Sequence, residues 1–463
     1  MSDYYTQNPA ARWLALASIC IATFLVPLSM SAINIALPAI ADELQADAVL
    51  LSWVPTSNLL GSMMLMLPAA RVADIVGRKK VYIVGVLMFC LTSLMVIWIE
   101  SIEWLLVSRF LQGLASAMVF GTGMAIVTSV FADGKRGTAL GLTATSVYLG
   151  LTCGPMIGGW LTEVLGWRSV FWAPVPFALT SVLVVILNVK GDYKAEGKQK
   201  LDWIGSALFA LWISAFFFGL SGVPDTGYII CLLLGVGLFF LFLRQQGSAE
   251  YPLVRLKVLA NNKVFSRSMI SSVFMYGAHY PVLFLMSLYL QYLKGMSPSE
   301  SGQLILLQAL VMACLAPFAG RLSDQFEPRI IATTGCLIYG SGFAMLLWID
   351  ASSSQAYIAA ALLALGMGFG LFSTPNNNAA MGAVPPDRLS IGSALMNLSR
   401  TMGNMFSMTL VVLLVNLVMG EAEITSQQYP DLLRVIKVAF ALAFAYTLVA
   451  AYASFSRGNV RNT

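Results

Sequence analysis

Apolar runs of about twenty residues recur from one end of this chain to the other, parted by short polar and charged segments. That length carries an α-helix across a hydrocarbon core roughly 30 Å thick, and a helix satisfies its own backbone hydrogen bonds in lipid. The alternating pattern of a membrane β-barrel, with segments of about ten residues, is not seen. The pattern therefore predicts an all-α polytopic membrane protein with fourteen spans. They fall at 13–37, 51–70, 81–99, 104–130, 137–161, 169–189, 203–222, 227–243, 268–291, 301–320, 330–349, 356–380, 391–419 and 435–455.

Basic residues set the direction, because cytoplasmic loops carry the excess of Lys and Arg. With the N-terminus inside, Arg168, Lys294, Arg434 and Lys437 fall outside and Arg109 and Arg400 lie within spans, which leaves 21 of the 27 cations on the cytoplasmic side. Both termini are therefore expected in the cytoplasm. Trp13, Trp53, Trp98, Trp104, Trp167, Trp203 and Trp348 sit near span ends, as an interfacial belt requires. The longest cytoplasmic links, 190–202 and 244–267, flank the seventh and eighth spans. The expected organisation is thus a six-helix bundle over 1–189, two additional helices with their linkers over 190–267, and a second six-helix bundle over 268–463. ARVADIVGRKK after span 2 is echoed by GRLSDQFEPR after span 10, as in transporters built from repeated halves around a midplane site.

Composition agrees: 58% of residues are hydrophobic and 11% charged, against about 25% charged in soluble domains. The net charge of +5 follows from topology rather than from nucleic-acid binding, and no nucleic-acid partner is expected. All six cysteines lie in apolar runs without a CxxC pair, so they read as small buried hydrophobes. The first apolar run lacks a small-residue cleavage site and reads as a retained span. A single histidine, no His/Cys/Asp cluster and no GxxxxGK[ST] phosphate loop argue against a membrane enzyme, a metal site and an ATP-driven pump. No cofactor is expected; a proton gradient would supply the energy.

Several segments carry candidate chemistry. Arg71, Asp74, Gly77, Arg78, Lys79 and Lys80 crowd one cytoplasmic turn, where Gly77 allows a tight bend and Asp74 can pair with a cation. In span 5, Gly150, Gly154 and Gly158 repeat every fourth residue beside Pro155 and Gly159, a bare stripe that lets a second helix approach closely. Arg109 and Gln112 share a face of span 4, and Arg400 lies deep in span 13, where a charge normally faces a cavity or a partner. Arg109 is near enough to the outer end to snorkel instead. His279 stands at the middle of span 9, either hydrogen-bonded between helices or titrating against substrate or proton. Ser29, Asn34, Trp53, Tyr148, Tyr276, Tyr280 and Asn376 are candidate lining residues.

The turn resembles the Gly-x-x-x-Asp-x-x-Gly-Arg-Lys element of major facilitator superfamily transporters, with Ala70 in place of the first glycine. Gly150-x-x-x-Gly154-Pro155-x-x-Gly158-Gly159 matches in full the antiporter signature of drug-exporting facilitators. The run Ile33–Pro38, Trp53-Val54, Arg109-x-x-Gln112-Gly113 and Gly166-Trp167-Arg168 extend the likeness, and the span count is similar to that of the fourteen-spanner drug:proton antiporter branch. The resemblance implies a latch formed by Asp74, Gly77, Arg78, Lys79 and Asp324, and proton-driven export of small amphipathic compounds by rocking of two halves. It also implies a monomeric multi-pass protein of the bacterial cytoplasmic membrane.

One departure matters. The family usually carries an aspartate about five residues before the position of Asn34, where this chain has Ser29. No Asp or Glu falls clearly inside a span; the nearest lie at the mouths, among them Asp42, Glu43, Glu163, Asp225 and Glu300. Two intramembrane arginines without an acid would make a cavity positive, favouring neutral, zwitterionic or anionic ligands. Export of an endogenous metabolite, lipid or siderophore is the alternative within transport. A non-transporting sensor or scaffold is the alternative outside it.

Overall fold

The computed structural model describes residues 8–131, 136–189, 200–253, 262–384, 389–420 and 424–458, and among these the chain is helical with no strand. Fourteen long helices follow one another: α1 Pro9–Leu44, α2 Ala48–Val76, α3 Arg78–Met95, α4 Ile102–Val130, α5 Arg136–Leu165, α6 Ser169–Asn188 and α7 Trp203–Ser221. The rest are α8 Thr226–Ser248, α9 Lys263–Leu288, α10 Pro298–Gln325, α11 Pro328–Leu346, α12 Gln355–Gly382, α13 Leu389–Val418 and α14 Tyr429–Phe455. Thirteen are long and apolar enough to cross a membrane; α5, several of whose side chains lie outside the described residues, is not in that set.

Helix boundaries overshoot the apolar runs because a helix does not stop where the hydrocarbon does. α1 gains four residues before its predicted span and ends seven residues after it, on Gln45 in the left-handed conformation. α6 is broken after Trp172 and resumes at Val175, where Pro174 lacks a backbone donor. Ser297 and Glu300 start α10 with a capping box, each side chain bonding the other's backbone N–H.

The chain packs as two compact units. The first holds α1, α2 from Trp53, α3–α6, α7 up to Phe216 and α8 from Ile230; the second holds α9–α14 with Phe217–Ile229 and the short stretch 47–52. In the first, α1 packs on α5, α6 and α4, and α3 on α4 and α6. In the second, α9 packs on α13, α14 and α12, and α11 on α12 and α14. The two sixes thus repeat one pairing scheme. Ile19, Ala22 and Val26 of α1 meet Tyr82, Phe89, Val119, Val127 and Val185 in the core of the first.

Candidate functional site

The glycine stripe of α5 is a seam with α1. A Cβ placed on Gly150 would lie 2.2 Å from the Phe24 carbonyl oxygen, on Gly154 2.5 Å from Ser31 Cβ, and on Gly158 2.6 Å from Ala32 Cα. Real Cβ atoms do not approach so closely, so only glycine admits this crossing. Gly159 is buried beside it. Pro155 has no N–H to offer the carbonyl of Leu151, four residues back. Ser31 Oγ donates to that carbonyl at 3.0 Å, so a polar group of α1 fills the gap that the proline of α5 opens. Asn34 Nδ2 donates to Met30 O of its own helix at 2.9 Å. Ser29 is buried and its hydroxyl has no partner among the described residues.

Arg109 of α4 does not snorkel: it is 1% exposed. Its Nη1 donates to Gln112 Oε1 at 2.6 Å and its Nε to Val54 O at 3.3 Å, and its guanidinium lies 5.9 Å from the Phe171 ring. Gln112 passes the chain on to Ser93 Oγ at 2.8 Å, and Asn58 Nδ2 of α2 donates to the Arg109 carbonyl at 3.2 Å. The partners are carbonyls and amides spread over α2, α3 and α4, so this arginine cross-links one bundle.

In the second unit the polar atoms gather on α9, α12 and α13. His279 stacks on Phe369 with centroids 4.0 Å apart, and Tyr276 meets the same Phe369 edge-on at 5.1 Å. Arg400 lies 5.1 Å above the Tyr276 ring and donates to Asn377 Oδ1. Tyr276 OH is 3.2 Å from Ser373 Oγ. Arg400, Tyr276, Phe369 and His279 therefore form one continuous row. At His279, Nδ1 receives Tyr339 OH at 3.0 Å and Gln308 Nε2 at 3.4 Å. An amide nitrogen only donates, so Nδ1 is assigned as acceptor and the proton sits on Nε2, a neutral imidazole. Nearby, Asn376 Nδ2 donates to Ser272 Oγ at 2.9 Å while its Oδ1 receives buried Arg457 at 2.8 Å.

The helix ends hold the remaining candidates. Gly77 adopts φ +125° between α2 and α3, and Arg78 at the start of α3 pairs across it with Asp74 near the end of α2 at 3.0 Å. Lys79 Nζ donates to the carbonyls of Ile186 and Val189 and so caps α6. Glu43 accepts from Trp167 Nε1 at 2.8 Å and from Arg168, whose Nη2 reaches Ile99 O at 2.7 Å, which ties together the ends of α1 and α3 and the start of α6. Glu300 is occupied by its capping box. Asp42, Glu163 and Asp225 are exposed, and no Asp or Glu is buried among the described residues. Hydrogen bonds from Ser352 and Ser353 hold the exposed carboxyl of Asp350, in the loop after α11, below the usual carboxylate range. Trp53 and Tyr280 are half-buried; the side chains of Tyr148 and Asp324 lie outside the described residues. Sequence reasoning missed Tyr339, Gln308, Phe369 and Arg457. Gln308, an amide inside the apolar run 304–319, was the visible signal.

A family model described as Major Facilitator Superfamily matches residues 19–408. Riboflavin transporter RibZ of Clostridioides difficile is 28% identical over 407 residues, covering 85% of this chain and 87% of that protein. Multidrug resistance protein Stp of Mycobacterium tuberculosis is 29% identical over 398 residues, covering 84% and 73%. The crystal structure of a bacterial homologue of the human lysosomal transporter Spinster superposes with a TM-score of 0.70 over 97% of each chain, at 16% identity.

Proposed function

The chain belongs to the Major Facilitator Superfamily and is a multi-pass membrane transporter rather than an enzyme, and from that premise we propose that it is a secondary active exporter of small amphipathic compounds. In this reading all fourteen long helices span the bacterial cytoplasmic membrane, both termini are cytoplasmic, the protein works as a monomer, and proton antiport drives export. The observation that carries the direction is the α1–α5 seam. Gly150, Gly154 and Gly158 reproduce the antiporter signature, and each is needed sterically against α1. The relatives named as multidrug resistance proteins and as a drug efflux pump support the same cargo class. The relative named as a riboflavin transporter favours a second reading, export of an endogenous metabolite.

The test is accumulation of fluorescent dyes and antibiotics in cells expressing the chain, beside substrate-linked proton flux in vesicles of the purified protein. Lowered accumulation with coupled proton movement is expected. Unchanged accumulation together with no proton flux would overturn the export reading. Metabolite profiling of a deletion strain separates drug efflux from the export of an endogenous compound.

A further inference from the structure

The row formed by Arg400, Tyr276, Phe369 and His279 offers hydrogen-bond donors and ring faces but no acid. Arg400 lies eleven residues into α13, about 17 Å along the helix at roughly 1.5 Å per residue. A guanidinium at that depth is costly unless it is paired or meets a ligand. It has neither a carboxylate within 4 Å nor a second polar partner among the described residues: Nη2 meets the neutral Asn377 amide, and Nε is buried without a partner. At the other end of the row, His279 Nδ1 is filled by two donors, so Nε2–H is left to donate, and no described residue accepts it. Between them, Phe369 and Tyr276 present aromatic surface. Arg400, Tyr276, His279 and Asn377 are all half-buried rather than sealed in the core.

From this juxtaposition we propose that the second unit holds a binding site for planar aromatic anions: the acidic group meets Arg400, the ring lies along Tyr276 and Phe369, and an acceptor atom takes the His279 Nε2–H. The charge-assisted bond to a planar guanidinium supplies selectivity for the anion. Ring contact supplies affinity shared by every flat ligand. The site lies on α9, α12 and α13 alone and rests on the transport reading above only for its direction. An anion leaving a negative cell interior is also driven outward by the membrane potential.

Binding to the purified full chain in a non-ionic detergent tests this without a gradient, using fluorescence anisotropy of two xanthene dyes of like shape. Anionic fluorescein is expected to bind about tenfold more tightly than cationic rhodamine 6G, a difference near 1.4 kcal/mol. Arg400→Gln is expected to remove that preference and leave rhodamine 6G within about twofold of wild type, with Arg400→Lys between. Equal or tighter binding of the cation to wild type overturns the proposal, as does an equal loss for both dyes in Arg400→Gln. If Arg400→Gln fails to fold, the wild-type charge preference and Arg400→Lys decide. A chain that binds fluorescein yet moves no dye in cells sinks the export reading and leaves this site standing. One that exports only cations does the reverse.

Discussion

In the first bundle Gly113 of α4 rests on the Asn58 carbonyl of α2; in the second, Gly366 of α12 rests on the Gln308 carbonyl of α10. The crossings match, but the residues one turn earlier do not. Arg109 precedes Gly113, and Leu362 precedes Gly366, both fully buried. Asn58 turns its amide onto the Arg109 backbone, whereas Gln308 turns its amide onto His279. A second matched pair differs likewise. A Cβ placed on Gly150 of α5 would lie 2.2 Å from Phe24 O, and one on Gly403 of α13 would lie 2.1 Å from Val273 O. One turn on, α5 has Gly154 where α13 has Ser407; two turns on, α5 has Gly158 where α13 has Val411. Both bundles thus share these two close crossings. The longer glycine seam and the hydrogen-bonded Arg109 brace the first bundle, while the second spends its polar atoms on a row of donors without an acid.

The largest expected effect tests the seam. Gly154→Val puts a branched side chain where even a Cβ lies 2.5 Å from Ser31 Cβ and 2.9 Å from Leu28 O. Overpacking of this kind costs about 1–3 kcal/mol. The expected result is a lowered melting temperature in detergent and loss of dye efflux. Ser407→Val, at the matching place, borders an apolar crevice with Gly277 and Pro281 and is expected to cost under about 1 kcal/mol. Equal tolerance of both would show that the two seams do not differ.

The next effect comes from making α4 resemble α12. Arg109→Leu copies Leu362 and strips the donor from Gln112 Oε1 and Val54 O. Stranded buried acceptors cost about 1–3 kcal/mol, so thermal stability should fall while expression persists. Full stability in that variant would mean that the arginine serves substrate or proton instead of bracing helices.

Much of this was legible before any coordinates, and the limits have physical causes. Hydropathy placed fourteen helices because lipid demands long uninterrupted apolar runs. It blurred their ends, since α1 continues through Asp42 and Glu43 into water. The glycine stripe foretold a close neighbour from spacing alone. Its partner, and the service Ser31 gives to the Leu151 carbonyl, depend on which helix lies alongside. Glu43 looked like a free mouth acid because its partners Trp167 and Arg168 lie more than a hundred residues away. His279 was conspicuous as the single histidine, but its protonation rests on Gln308 and Tyr339, which no local pattern joins to it.

A smaller effect isolates the proline gap. Ser31→Ala removes the hydroxyl from Leu151 O, and a hydrogen bond between membrane helices averages about 0.6 kcal/mol. Pro155→Ala restores an N–H that reaches the same carbonyl, so Ser31→Ala should cost less in that background. Thermal melts of the two single variants and the double variant measure the coupling. Strict additivity would detach Ser31 from the proline.

The smallest effect bears on the second bundle. His279→Gln keeps an acceptor for Tyr339 and Gln308 but alters what is offered along the row. Because the imidazole is neutral as bonded here, the pH profile of transport is expected to stay in place while apparent affinity for an aromatic anion falls by about threefold, near 0.7 kcal/mol. Transport measured across pH in vesicles separates the two quantities. A pH profile that flattens in His279→Gln would assign the histidine to proton carriage. It would also make the second bundle the seat of coupling.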